Sequence, residues 1–136
     1  MSAFTRAEIE YLRTSSSSGP RLARVATVGA DGTPHVTPVG FSYNPDFDAI
    51  EIGGRDFAST KKWRDVSRTG RAAVVIDDVA SVDPWRVRGI EVRGRAEAVA
   101  EPRPHLRIHP ERIVSWGIEP GERQARDIGR RVPVAS

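Results

Sequence analysis

The chain has 136 residues, 38% hydrophobic and 29% charged, with no cysteine. That length suits one domain, and the missing thiols exclude disulfides, thiolate nucleophiles, iron–sulfur clusters and cysteine zinc sites. Basic residues exceed acidic ones by 21 to 18, so the pI of 9.9 reflects a small imbalance and permits a polyanionic ligand without requiring one. No apolar run approaches the roughly 20 residues of a membrane span. The amino terminus lacks the basic-then-apolar layout of an export signal, so the expected location is cytoplasmic.

Thr5 followed by Glu8 forms a capping box, and Phe4 can staple onto Ile9, predicting a helix over Arg6 to Arg13. Ser15 to Pro20 reads as a polar loop. Leu22 to Val28 and His35 to Tyr43 are apolar and β-branched stretches separated by Ala30-Asp31-Gly32-Thr33, a hairpin signal. Pro38 has no amide hydrogen, so its strand needs a free edge, a bulge or a ligand at that point. After the Asn44-Pro45-Asp46 turn, Ala49 to Gly53 predicts a third strand. A helix beginning at Ser59 or Thr60 places Trp63 and Val66 on one face and stops at Gly70.

Ala72 to Ile76 is continuously apolar, as for a strand buried on both faces, with Asp77-Asp78 as its terminus. From Ile90 to Ala100 the residues alternate as a long half-buried strand, and Gly94 suggests a bulge. A last strand is expected over Arg112 to Gly117, with Leu106 to Ile108 as a short partner or lead-in. Residues 1–118 therefore form one domain, and 119–136 a polar, arginine-rich tail expected to be partly disordered. Antiparallel neighbours joined by short turns favour a small, mainly β barrel with an N-terminal helix and a short inserted helix.

The chemistry concentrates between Gly53 and Val66. Paired glycines, Arg55, Ser59, Thr60 and both lysines of the chain, Lys61 and Lys62, fall where a strand meets a helix amino terminus, a place that attracts anions. Competing with this is a plain reading in which Ser59 caps, the lysines are solvated and Asp65 pairs with one of them. First-turn lysines oppose the helix dipole, which favours the anion.

The order of the capped helix, the Asp31-Gly32-Thr33-Pro34-His35 turn, the Val36 to Tyr43 strand and the glycine-arginine to double-lysine window resembles the flavin split-barrel family. More narrowly it is similar to the pyridoxamine-phosphate-oxidase-like branch of F420-dependent enzymes of actinobacteria. Pro84-Trp85-Arg86, Gly89 to Gly94 and Glu111 to Gly117 fit the same pattern. The resemblance implies a six-stranded antiparallel split β-barrel forming a homodimer, with cofactor sites between protomers. It places Thr60, Lys61 and Lys62 on the phosphate, with Arg55 and Ser59 close by, and Thr37, Pro38, Val39 and Gly40 along the deazaflavin rings. Trp85 is a candidate for stacking on the rings or for the dimer seam. F420 is the expected coenzyme, with FMN the alternative; the chain lacks an obvious carboxy-terminal segment for holding pyridoxal phosphate.

His35 is a candidate proton donor, weighed against an ordinary turn-side role. His105 and His109 are four apart, but Pro104 and Pro110 oppose a helical metal pair, so no metal is expected. The reading is an F420-dependent oxidoreductase delivering hydride to an electron-poor small-molecule acceptor. Its rivals are an FMN-dependent reductase or oxidase and a non-catalytic F420 carrier or sensor. Nucleic-acid binding is disfavoured because only 7% of residues are aromatic and they do not cluster on one strand.

Overall fold

The computed structural model describes residues 1–14, 20–119 and 123–129; all of the predicted Ser15 to Pro20 loop but Pro20, and residues 120–122 and 130–136 of the tail, lie outside them. Helix α1 spans Arg6–Arg13, with the expected capping box: Glu8 N donates to Thr5 Oγ1 at 3.1 Å and Thr5 N to Glu8 Oε1 at 2.9 Å. Strands β1 (Ala23–Val28) and β2 (Pro34–Asn44) form the first hairpin, where Gly32 takes a positive φ of 84°. β3 covers Ala49–Gly53. A 3-10 turn over Phe57–Ser59 leads into α2 (Lys61–Thr69), capped by Thr60 and ended by left-handed Gly70.

Strand β4 runs over Arg71–Ser81, so Asp77-Asp78 does not end it. Both aspartates stay in the ladder because each has a cationic neighbour: Arg24 donates to Asp77 and Arg88 to Asp78. Nor is β4 buried on both faces. Val74 and Ile76 are buried, while Ala73 and Val75, which alternate with them, stay partly exposed. The long β5 (Arg86–Val99) is followed by β6, which is one strand over His105–Trp116 rather than a lead-in and a separate strand. Its register with β5 shifts at Gly94, opposite Pro110. A Cβ on Gly94 would lie 2.0 Å from the His109 carbonyl oxygen, which is why glycine occupies the predicted bulge. The segment read as a polar tail contributes a seventh strand, β7 (Gln124–Asp127).

The strand order is β3-β2-β1-β4-β5-β6-β7, with β3 also paired to β6, so six antiparallel strands close a barrel and β7 adds to it. Closure removes most free edges. Two strands change neighbour along their length. β6 pairs with β3 over His105 to Ile108 and with β7 over Arg112 to Ser115. β2 pairs with β1 as far as Val39 and with β3 only from Gly40 onward. The edge of β2 away from β1 is therefore open beside Pro38, which meets the requirement set by its missing amide hydrogen.

Inside, Val25, Ile50, Ile52, Val74, Ile76, Ile90, Val92, Leu106, Ile108 and Ile113 are fully buried, each contributing about 1.5 to 3 kcal/mol through apolar burial. Phe4, Tyr11 and Leu12 close one end of this core, and Phe57 and Val66 belong to the same cluster.

Candidate functional site

Gly40 and Gly53 face each other across the β2–β3 pair. Neither has a side chain, so the sheet there is bare backbone. A Cβ built on Gly40 meets nothing within 4 Å, and one on Gly53 meets only His105 Cβ at 3.7 Å and the Pro104 carbonyl at 3.8 Å. Over this pair lies a depression of about 220 Å³ bordered by Ser42, Glu51 and His105. Beside it, and sharing Glu51, Gly53 and His105, is a larger groove of about 830 Å³. One wall of that groove is Gly53-Gly54 with Asp56 to Ser59, and the other is the β5–β6 loop from Pro102 to Pro104. A flat ligand can approach backbone at the glycine pair in a way that side chains would forbid.

The junction between β3 and α2 forms the near wall. Asp56 is held in the left-handed region, φ 48°, and its carbonyl accepts from the Ser59 amide at 3.0 Å and hydroxyl at 2.7 Å. The Thr60 hydroxyl is committed to the helix cap: it accepts from Trp63 N at 3.3 Å and donates to the Phe57 carbonyl at 2.7 Å. Helix geometry leaves the amides of Lys61 and Lys62 without intrahelical acceptors. Lys62 Nζ lies 5.6 Å from the centroid of the Phe57 ring, and Phe57 lines the groove. Arg55 is exposed in the preceding turn.

Lys61 turns the other way. Its ammonium is 3.7 Å from Asp65 Oδ1, and Asp65 is buried beneath α2, where it accepts from the Thr27 hydroxyl at 2.8 Å. Arg68 is also 3.7 Å from that carboxylate. Lys61 Nζ and His35 Nε2 both crowd the space a Gly29 side chain would need, at 3.3 and 3.0 Å. Of the two lysines, Lys61 is therefore the one that Asp65 pairs with.

The other candidates scatter. Pro38 and Gly40 share the outer face of β2, whereas Thr37 and Val39 point to the opposite side, as alternation requires. Trp85 sits 65% exposed in the β4–β5 turn and is not among the residues that line either depression. His35 stays with Lys61 and the β1–β2 turn.

The sequence reading missed a charge ladder across β3, β6 and β5. Arg107 Nε donates to Glu51 Oε2 at 2.8 Å and its NH1 reaches Glu97 Oε1 at 3.4 Å. His109 Nε2 lies 3.1 Å from Glu97 Oε2, and Arg107 stacks on Phe47, 3.5 Å from its centroid. Burial raises the Glu51 carboxyl, but hydrogen bonds from Arg107 and Asn44 outweigh it and hold its pKa below the usual range. At the groove end of the ladder His105 Nδ1 is 2.7 Å from the Arg103 carbonyl, and Nε2 is 3.5 Å from Glu51 Oε2. The alternation of Glu51 and Gly53, and of His105, Arg107 and His109, was the available signal; the cross-strand register that joins them is not written in either segment.

This closed six-stranded barrel, opened along β2 and flanked by a cationic helix start, is a split barrel of the kind that holds flavin-type cofactors. The chain belongs to the pyridoxamine 5'-phosphate oxidase family, whose pattern it matches over residues 10–134. It is 45% identical over 125 residues to the 5a,11a-dehydrotetracycline/5a,11a-dehydrooxytetracycline reductase of Streptomyces rimosus, covering 85% of this chain and 84% of that one. That similarity identifies it as a reductase-type enzyme of the family. Among solved structures, a conserved hypothetical protein of Mycobacterium tuberculosis matches with TM-score 0.66 and 24% identity, covering 84% of this chain and 85% of that one. A protein described as an F420 reductase matches with TM-score 0.56 and 19% identity over 76% of this chain and 94% of that one. These two likenesses show the fold. No helix among the described residues is long and apolar enough to cross a membrane.

Proposed function

We propose that the protein is an F420-dependent reductase acting on an electron-poor organic acceptor, such as the conjugated enone of a polyketide-like molecule. The observation that carries this reading is the pairing of a bare Gly40–Gly53 backbone with Lys62 at the start of α2, in a chain 45% identical to a dehydrotetracycline reductase. The residues fit such a coenzyme. The backbone of Thr37 to Gly40 along the open edge of β2 and the glycine pair would take the ring system, while Lys62, Arg55 and Ser59 would take the phosphodiester. When bound, the coenzyme supplies a hydride; the chain's own residues orient it, exclude water and anchor its charge.

The described residues include no group of three or more side chains suited to a metal, and the reading needs none. The protein is further proposed to act as a homodimer. Val28, Val36, Val79 and Val87 lie 44 to 66% exposed on the outer faces of β1, β2, β4 and β5, with Val82 and Trp85 at 75% and 65% on the adjoining turn. These exposed apolar side chains form two groups, Val28 with Val36 at one end of the sheet and Val79, Val82, Trp85 and Val87 at the other, separated by the Arg24–Asp77 ion pair, and a second copy covering them would remove both from water. Calorimetry with oxidised F420 and with FMN tests the coenzyme: F420 is expected to bind more tightly, and binding of neither would end the reading.

A further inference from the structure

Among the described residues, the carboxylates and guanidinium that border the larger groove are those of Glu51, Asp56 and Arg103. Glu51 is paired with Arg107 at 2.8 Å. Asp56 belongs to the wall that leads into α2, and Arg103 to the opposite wall, in the β5–β6 loop. Arg103 is exposed, and no described residue gives its guanidinium a hydrogen bond or an ion pair. The backbone that presents it is stiff. Pro102 and Pro104 flank it, each with φ fixed by its ring, and a residue that precedes proline is confined to extended conformations. The Arg103 carbonyl accepts from His105 Nδ1 at 2.7 Å, and His105 pairs across the ladder with Gly53. Two extended residues span at most about 7 Å and paired strand residues lie about 5 Å apart, so the Arg103 backbone stands within roughly 12 Å of Gly53. Little backbone freedom is left to lose when a ligand is bound there.

Resting on the reductase reading, we infer that Arg103 selects the acceptor by taking an anionic oxygen on it, a carboxylate or an acidic enolate. The two walls divide the work. Lys62, Arg55 and Ser59 are proposed to take the phosphodiester of the coenzyme at the start of α2, and the glycine pair its ring, so the loop wall borders the side of the groove left for the acceptor. A guanidinium offers an anionic carboxylate two parallel, charge-assisted N–H donors, an interaction about twice as strong as one with a neutral ester. Asp56 repels an anion from its own wall, which sets the direction of the acceptor: acidic edge toward the loop.

The probe is a cyclohexenone bearing a ring carboxylate, compared with its methyl ester, each titrated calorimetrically into wild-type protein saturated with oxidised F420. The acid is expected to bind roughly tenfold or more tightly than the ester, the scale of a hydrogen bond to a charged group. Arg103→Gln is expected to remove that preference while ester and F420 bind as before. Arg103→Lys is expected to keep part of it, since an ammonium retains the charge without the paired donors. Equal binding of acid and ester by the wild type, binding of neither, or a preference that survives in Arg103→Gln overturns the inference and leaves the coenzyme reading standing. A loss of F420 affinity in Arg103→Gln overturns it too, because the anion held by the loop would then be the coenzyme's own. If F420 does not bind the wild type, both fall.

Discussion

Lys61 and Lys62 are consecutive, but a helix turns about 100° per residue, and that rotation separates their work. Lys61 is drawn toward the buried Asp65 and the β1–β2 turn; Lys62 stays over Phe57 at the groove wall. Lys62→Ala should weaken F420 binding by roughly 1.5 to 3 kcal/mol, the scale of a hydrogen bond to a charged group. Lys61→Ala should cost much less affinity. Fluorescence titration of the two variants decides the matter, and equal losses would mean that the phosphate lies between them. From sequence alone the pair was indistinguishable, because the partner that diverts Lys61 is a carboxylate fixed by Thr27 from another strand.

At the scale of elements, β7 is tied to α1 by chemistry its composition conceals. Glu8 is fully buried and accepts from Ser115 Oγ at 2.7 Å and from Arg126, whose NH2 is 2.5 Å from Oε1. Burial raises the Glu8 carboxyl; hydrogen bonds from Arg126, Thr5 and Ser115 together overcome that and leave its pKa lowered. A pKa lower in the folded state than in the unfolded one adds stability above the ordinary glutamate value near 4.5 that is lost as pH falls through the folded value. Arg126→Ala leaves a carboxylate buried without its cation, so it should destabilise by about 3 kcal/mol near neutrality and shrink the acid-side loss of stability. Urea melts at pH 7 and pH 3 check both points; an unchanged midpoint at pH 7 would show that β7 is ornamental.

The same elements show where sequence pattern sufficed. α1, β3 and α2 were legible because their caps and breakers lie within a few residues: Thr5 with Glu8, Gly53-Gly54, and Thr60 with Gly70. The ends of β4 and the continuity of β6 were not. Asp77-Asp78 reads as a terminus until Arg24 and Arg88 appear beside it, and Pro110 reads as a break until it falls at the bulge opposite Gly94, between the stretches of β6 that pair with β3 and with β7. β7 itself has no apolar face to announce it; its evidence is a carboxylate more than a hundred residues away.

For the whole molecule, the exposed valines at the two ends of the outer face of β1, β2, β4 and β5 are where a second copy is proposed to sit. Light scattering should give twice the 14.9 kDa chain mass for the wild type. Val36→Asp combined with Val79→Asp should give a folded monomer with weakened F420 affinity, since the proposed sites lie between protomers. A wild-type monomer, or a double variant that remains dimeric, would rule out this face as the seam. The groove residues were recognisable in part by type, but their assembly depends on six strands closing in one order, which no local window contains.

The change of neighbour in β2 gives the barrel a mechanical property. Up to Val39 the strand is stitched to β1, and from Gly40 it is stitched to β3, so a molecule lodged at that switch is gripped by both halves of the cylinder at once. Its arrival would act like a rivet through a seam, damping the breathing of β1 and β3 together although the two strands share no ladder.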